Sequence, residues 1–293
     1  MRFPPVRTAW TLGMAAVLMT SAYSRAQDSE HNWQKDYPVS GPAALTIETS
    51  DGNLDIHSCG DCKQIRIRVT SGERLSEFRI EEHQDQNHVF FLLKEKIHVG
   101  VRIHWKSSAT KIAVDTPASL ELDAHSSDGN LTAQNLTGNL QVRSGDGNIT
   151  LDDVHGGIRL TSSDGNINIH GATGTIEARA SDGHMEIDGK FSAVQLHTSD
   201  GNLDFALAAG SQLTSASRIE SSDGRVSIRV PQSLAADLDI SSSDGRIDCA
   251  LPLTMDHYDS RETSNNHIHG KLNSGGVSLS IHTSDGSVKI ATL

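Results

Sequence analysis

Short alternations of apolar and polar residues recur along most of the chain. Residues 149–151 read Ile-Thr-Leu and residues 158–160 read Ile-Arg-Leu, and similar triplets follow at regular intervals. An alternation with a period of two is typical of a β-strand that buries one side and exposes the other. Beyond residue 26 no segment has a convincing helical period, so the sequence predicts an all-β protein.

The strands belong to a repeat that is marked by the dipeptide Asp-Gly. From Asp128 to Asp200 the dipeptide returns at a constant interval, and the next two steps, to Asp223 and Asp244, are longer. The aspartates of all the repeats are Asp51, Asp128, Asp146, Asp164, Asp182, Asp200, Asp223, Asp244 and Asp285. Counted from Asp as position one, apolar residues occupy positions four, six, thirteen and fifteen. Each unit therefore predicts two short strands, joined by a Ser-Asp-Gly turn and by a second turn at Gly138, Gly156 or Gly174.

Two strands in a unit of this length fit either a run of antiparallel hairpins or one coil of a solenoid. In a solenoid, equivalent residues of adjacent coils stack directly, so each column of residues keeps its chemical character. Position three is Asn in most of the regular units, and stacked amides gain from one another. We therefore predict a single-chain β-solenoid with two short strands in each coil of about 18 residues.

This register predicts which side chains lie inside. The inward set is Ile149, Leu151, Ile158, Leu160, Ile167 and Ile169, and the outward set is Thr150, Arg159 and Asn168. Neighbouring turn aspartates would lie about 4.8 Å apart, where unit charges repel by roughly 1 kcal/mol in water. A Ser precedes most of these aspartates, so we expect Ser hydroxyls and backbone amides to hold the carboxylates without an obligatory metal.

Outside the regular units the pattern weakens. We assign residues 40–293 to the solenoid, with irregular coils or an antiparallel cap over 72–112 and an inserted loop over 252–273. Residues 27–39 are polar and predict a disordered linker. Residues 1–26 combine Arg2 and Arg7, an apolar run, and Ser24-Arg25-Ala26, which predicts a secretory signal peptide cleaved after Ala26. The apolar run is too short for a membrane anchor, and no later run predicts a transmembrane segment in the mature chain.

Charge narrows the possible partners. Without the three arginines of the signal, the chain carries 22 basic and 37 acidic residues. Such an acidic chain excludes nucleic acid and anionic lipid as electrostatic partners. Glycans, envelope proteins and cations stay open, as does the oligomeric state. Export places the protein in the periplasm, at the cell surface or outside the cell.

Three cysteines remain in the mature chain. Because export favours oxidation, Cys59 and Cys62 predict a small disulfide at a turn. A redox motif of this spacing usually accompanies a βαβ pattern, and a zinc site needs about four ligands; the sequence provides neither. Cys249 falls on an inward strand position, as a small buried apolar residue would.

Several segments resemble a known family. They are the stretch Ile112–Leu122, the serial Ser-Asp-Gly-Asn turns, the step Val230-Pro231 and the closing segment Leu279–Val288. Over residues 40–293 the chain is similar to the bacterial "putative adhesin" domains, exported β-solenoids of unknown function related to adhesin heads. The resemblance implies a cell-envelope location and supplies no catalytic residues. The cysteine pair is not part of the family pattern.

The polar residues predict binding rather than catalysis. The many carboxylates recur at equivalent positions, whereas an active site breaks the symmetry of a repeat. We therefore predict a non-catalytic, adhesin-like binding or scaffold module with flat polar β-faces. No catalytic, cofactor-binding or metal-binding residue is assigned and no cofactor is expected. The alternatives are a polysaccharide-cleaving β-helix enzyme, which would need two differently tuned carboxylates, and a Ca²⁺-binding solenoid.

One polar cluster does not repeat. It lies in the inserted loop and consists of Asp256, His257, Tyr258, Asp259, Asn265, Asn266, His267 and His269. In an extended segment His267 and His269 share one side, where they could begin a metal site with His257 or an acid. The competing interpretation is an ordinary polar surface loop.

Overall fold

The computed structural model describes residues 29–96, 110–254 and 266–293. Over these ranges the protein is all-β, as predicted, with one 3-10 turn at Leu75–Glu77. The predicted signal peptide lies outside the described residues. Within the described ranges, no helix is long and apolar enough to cross a membrane.

The strands are numbered in chain order. They are β1 (Asn32–Pro38), β2 (Ala43–Thr49), β3 (Asn53–Ser58), β4 (Gln64–Thr70), β5 (Phe78–Asp85), β6 (His88–Glu95), β7 (Lys111–Thr116), β8 (Leu120–Ser126), β9 (Leu131–Gln134), β10 (Thr137–Ser144), β11 (Ile149–Asp152), β12 (His155–Ser162), β13 (Ile167–Ala180), β14 (Met185–Thr198), β15 (Leu203–Leu207), β16 (Ser217–Ser221), β17 (Val226–Val230), β18 (Ala236–Ser242), β19 (Ile247–Cys249), β20 (Leu253–Thr254), β21 (His267–Leu272), β22 (Val277–Thr283) and β23 (Val288–Thr292).

The strands form two faces. Face A contains the strands that follow the Asp-Gly turns, together with β1, β4 and β7. Their order is β1-β4-β7-β3-β9-β11-β13-β14-β15-β17-β23-β19. Face B contains the strands that precede the turns, together with β5, β6, β20 and β21. Their order is β5-β6-β2-β8-β10-β12-β13-β14-β16-β22-β18-β21-β20. The 14-residue strands β13 and β14 run through both faces and join them into one sheet.

In the middle of the chain, strands pair in parallel with the register that the repeat predicts. Ile149 lies opposite Leu131 on one side and Ile167 on the other, which are the equivalent residues of the preceding and following units. Ile158 pairs in the same way with Leu140 and Ile176 on face B. Antiparallel hairpins would have produced neither pairing.

Toward both ends the spatial order departs from the chain order. On face A the last strand, β23, lies between β17 and β19, and on face B β22 lies between β16 and β18. Near the N-terminus, β2 lies between β6 and β8 and β3 between β7 and β9. The last unit is therefore inserted into the stack and does not extend it.

The N-terminal end differs from the prediction. Part of the expected disordered linker is strand β1, which pairs antiparallel with β4. Arg66 donates two hydrogen bonds across this pair to Asp36, at 2.6 and 2.8 Å, and these bonds hold the pKa of the Asp36 carboxyl below its usual value. Because Trp33 and Tyr37 are buried in the core, β1 has enough apolar surface to stay ordered against β4.

Residues 72–112 include an antiparallel arrangement. β5 and β6 form an antiparallel hairpin, while β7 pairs antiparallel with β4 and parallel with β3. Of the two forms expected here, the described residues favour the antiparallel cap. In the inserted loop, β20 and β21 pair antiparallel and β21 also pairs antiparallel with β18.

The inward sides of the two faces share one hydrophobic core. All six residues predicted to lie inside are at most 3% exposed. Arg159 is exposed as predicted, but Thr150 and Asn168 are only half-exposed. These two lie in columns whose neighbours stand directly beside them on adjacent strands, so outward positions of a stacked sheet are partly covered by their own column.

The turn glycines allow adjacent units to approach closely. A Cβ on Gly165 would lie 2.1 Å from the carbonyl oxygen of Gly147. The same contact links all nine Asp-Gly turns in the spatial order 52, 129, 147, 165, 183, 201, 224, 286 and 245. A second glycine column with positive φ runs through Gly138, Gly156 and Gly174, as the sequence predicted for the second turn.

Candidate functional site

The column of Asp-Gly turns is the most repetitive polar feature of the molecule. An inward hydroxyl two residues before the aspartate closes most of the regular turns: Ser144 donates to the carbonyl of Gly147 at 2.7 Å and Ser162 to that of Gly165 at 2.9 Å. The turn at Asp182 is the exception among the regular units, because Ala180 stands at this position. The prediction that the Ser next to the aspartate would hold the carboxylate was wrong. The hydroxyl that matters is buried and bonds to the backbone, because a buried carbonyl needs a partner more than an exposed carboxylate does.

The turn carboxylates face the solvent. In the described part of the chain, none of them accepts a hydrogen bond from a turn hydroxyl or a backbone amide. Desolvation, a hydrogen bond with Asp51 and the charges of Asp51 and Asp146 raise the pKa of Asp128.

Asparagine at position three forms the predicted ladder. The side-chain oxygen of Asn130 accepts a hydrogen bond from the backbone amide of Asn148 at 2.9 Å, and Asn148 does the same for Asn166. The ladder begins at Asn53 and reaches His184, and Asn202 bonds in the same way to the amide of Arg225. These bonds tie one unit to the next at the edge of each turn.

The outward sides of both faces carry rows of charged side chains that pair across units. On face B, Arg159 contacts Glu177 at 2.8 Å. On face A, His170 Nδ1 lies 2.8 Å from Asp188 Oδ1. The hydrogen bond to Asp188, with the nearby acidic side chains, raises the pKa of His170. Each unit thus fixes outward groups of its neighbour.

The predicted polar cluster of the inserted loop is only partly described. Asp256, His257, Tyr258, Asp259 and Asn265 lie outside the described residues. His267 Nε2 lies 2.8 Å from Asp239 Oδ1 on the neighbouring strand β18, and His269 is exposed on the same strand as His267. Among the described residues, no group of three or more His, Cys, Asp or Glu side chains could hold a metal ion.

The cysteines follow the sequence analysis in part. Cys59 and Cys62 form the predicted disulfide, with their Cα atoms 5.8 Å apart. Cys249 packs against the core but is only half-buried at the edge strand β19. Burial raises the pKa of its thiol, but the side chain is less buried than the sequence predicted.

One surface feature was not predicted from the sequence. Phe90 points outward from β6 and is 37% exposed, with the imidazoles of His83 and His88 beside it. The neighbouring Val89 and Phe91 are buried and dominate the apolar pattern of this strand. The available signal was an aromatic residue at an outward position of the alternation.

Solved structures with similar chains are described as adhesion proteins. A "putative adhesin" from Bacteroides fragilis has 14% identity, with 90% of this chain and 98% of that chain covered, and a TM-score of 0.38. A second from Parabacteroides merdae has 13% identity over 89% and 96% of the two chains and a TM-score of 0.35. A "putative cell adhesion protein" from Clostridium sporogenes has 11% identity over 89% and 99%, with a TM-score of 0.31.

No curated protein matches the sequence significantly. The family described as Toastrack DUF4097 matches residues 43–291, from the start of β2 almost to the end of β23. The match contains all nine Asp-Gly turns and every strand but β1, and it agrees with the resemblance drawn from the turn motifs. The chain therefore belongs to the Toastrack DUF4097 family.

Proposed function

We propose that this chain is an exported, non-catalytic β-solenoid that acts as an adhesin-like binding or scaffold module in the cell envelope or at the cell surface. The observation that carries the proposal is the pair of long outward faces, whose polar columns continue from unit to unit. Stacked repeats provide extended surfaces for binding. A surface that repeats also suits a partner that repeats, since several weak contacts then add up.

The charges on these faces support binding rather than hydrolysis. Glu177 lies between two arginines, 2.8 Å from Arg159 and 3.2 Å from Arg179. A glycosidase needs a carboxylate held in its protonated form beside an ionised one. A carboxylate held between two guanidinium groups suits hydrogen bonding to a glycan or to an envelope protein.

A glycan array and a pull-down from envelope extracts test this proposal with the purified protein. The comparison variant replaces Asp256, His257, His267 and His269, the polar cluster of the inserted loop, by Ala. We expect saturable binding to a glycan or an envelope protein and no cleavage of bacterial or plant polysaccharides. Cleavage that disappears in the variant would overturn the non-catalytic proposal.

A cation-binding role is the second candidate, because the turn carboxylates lack hydrogen bonds from their own turns. Thermal melting in EDTA and in millimolar Ca²⁺ at equal ionic strength separates the two. If the carboxylates are simply solvated, the melting temperature changes by no more than about 1 °C. A large rise with Ca²⁺ that Mg²⁺ does not reproduce would make the turn column a cation site.

A further inference from the structure

The outward surface near the N-terminal end of face B differs from the rest of that face. Phe90 stands at its centre, with Thr46 of β2 opposite on one side and His83 of β5 opposite on the other. Elsewhere in the described part of the chain, the exposed large apolar side chains are limited to Leu293, the last residue. An exposed aromatic ring in a polar column marks a contact surface.

The Phe90 ring is held in place by its neighbours. The His88 ring lies with its centroid 3.9 Å from that of Phe90, and the His83 centroid lies at 6.1 Å. His88 is itself fixed by Thr46, whose Oγ1 is 2.9 Å from its Nε2. A ligand would therefore find the ring already oriented and would not have to order it on binding.

A shallow cavity of about 260 Å³ lies beside this ring, lined in part by Thr46, Glu48, Glu81, Phe90 and Leu92. Sites for drug-sized ligands usually have about 300–1,000 Å³. The depression therefore fits a single ring-sized unit of a larger ligand. Its floor is apolar at Phe90 and Leu92, and its rim provides carboxylates.

The rim is charged but balanced. Glu48 pairs with Lys94 at 2.6 Å, and Glu81 pairs with Arg79. Each carboxylate has about four lone-pair positions, so it can still accept a hydroxyl proton while it is paired. The carboxylates would repel an anionic ligand, and a cationic ligand would compete with Arg79 and Lys94, whereas a neutral polyol meets neither obstacle. The charges thus select a neutral ligand with several hydroxyl groups.

We propose that Phe90, Leu92, Glu48 and Glu81 form a subsite for one neutral sugar ring of a glycan. The apolar C–H face of the sugar packs on Phe90 and Leu92, and its hydroxyls donate to Glu48 and Glu81. This assignment rests on the proposed binding function and names its ligand class and its location.

Saturation-transfer NMR with the purified protein tests the subsite. The probes are the methyl β-glycosides of glucose, galactose and N-acetylglucosamine, with methyl glucuronide and protonated glucosamine as charged comparisons. We expect transfer to the C–H protons of at least one neutral probe and weaker transfer to both charged probes. Preference for a charged probe would overturn the inference from the balanced rim.

Variants then locate the site. Phe90→Ala should weaken binding of the neutral probe about tenfold, as loss of a central aromatic contact does. Phe90→Tyr keeps the ring and should stay within about threefold. Thr161→Ala changes an exposed residue on the same face, far from the cavity, and should leave binding unchanged. Both Phe90 variants change a partly exposed side chain, and their melting temperatures verify that they are folded.

The outcomes separate this subsite from the proposed function. Equal binding by Phe90→Ala and the wild type would place the sugar elsewhere and overturn the subsite alone. If no neutral probe shows transfer but the pull-down captures a protein, the sugar subsite is contradicted and the proposed binding function stands. Cleavage of a probe would overturn the proposed function itself.

Discussion

The middle of the stack and its two ends are built on different rules. From β9 to β15, successive strands on each face pair in parallel, and neighbours in the stack are neighbours in the sequence. At the ends, strands β1, β4, β5, β20 and β21 pair antiparallel, and whole units change places. The repeat pattern determines how one unit stacks on the next, but it does not determine where the stack ends.

At the N-terminal end of the stack, polar side chains connect the edge strands of the two faces. Glu82 of β5 pairs with Lys35 of β1 at 2.5 Å and accepts a hydrogen bond from Tyr37 at 3.2 Å. Burial and the Glu82 carboxylate raise the pKa of Tyr37, so its hydroxyl stays a donor. An inward charge on an edge strand prevents another strand from adding there. The pair thus ties the two faces together and closes the end.

The largest difference between middle and end should come from the glycines. Gly165→Ala places a Cβ 2.1 Å from the backbone oxygen of Gly147 in the preceding unit, which requires the backbone to move and should cost about 3 kcal/mol or more. Gly41→Ala meets only the end of the Asn87 side chain, at 2.9 Å, and should cost less than about 1 kcal/mol. Urea unfolding measures both, and equal losses would contradict the close stacking.

Apolar truncation should follow the same gradient. Ile167 is fully buried in the middle, and Ile167→Ala should lower the free energy of unfolding by about 2–5 kcal/mol. Ile247 is half-buried on β19, the edge strand of face A, so Ile247→Ala should cost about 1–2 kcal/mol. Thr150→Ala, on the outward side, should cost less than about 0.5 kcal/mol. A loss at Thr150 equal to that at Ile167 would mean that the register is wrong.

One unit within the middle lacks a turn hydroxyl and provides a smaller, internal comparison. Ser162 donates to Gly165 at 2.9 Å, and its partner in the next unit is Ala180. Ser162→Ala should cost about 1 kcal/mol and Ala180→Ser should gain up to about 1 kcal/mol, since the new hydroxyl can reach the equivalent carbonyl. Chemical denaturation of the two single variants and the double variant measures both. A loss for Ala180→Ser would mean that this turn has a different shape.

The smallest effect should be a pH dependence from the middle of face A. Because the pKa of His170 is raised above its usual 6.5, its pair with Asp188 stabilises the fold fully below about pH 6 and loses this effect as pH rises through the folded pKa. The side chains are nearly half exposed, so the gain is only about 0.5 kcal/mol. The stability difference between wild type and His170→Gln should be largest near pH 5 and absent at about pH 8. A difference that grows with pH would reverse the assigned sign.

The sequence predicted the middle well because its period is exact there. Each inward position could be checked against the equivalent positions of the neighbouring units, which fixed the register before any contact was known. Strand β1 was missed because Lys35 stands among its inward residues and interrupts the apolar alternation. The partner that makes this acceptable, Glu82, is 47 residues distant, and no local pattern connects the two.

The position of the last unit was also beyond the sequence analysis. The turn at Asp285 has the same pattern as the turn at Asp244, so either could lie next to the turn at Asp223. Which of the two turns lies beside Asp223 depends on the paths of the connecting segments. The repeat pattern does not determine these paths. The candidate site was likewise predicted only in part. The polar columns follow from the repeat, but the exposure of Phe90 does not, because Phe90 belongs to the non-repeating hairpin of β5 and β6.

The inserted last unit has a consequence for how the chain can be completed. A growing chain makes β18 and β19 before β22 and β23, yet β18 and β19 contact the rest of the stack through those later strands. Until residues 277–292 have been synthesised, β18 and β19 have no parallel neighbour that connects them to the middle of the stack. Loss of these last residues would remove a layer from within the stack and would not merely shorten it. Residues 277–292 therefore decide whether β18 and β19 become part of the fold.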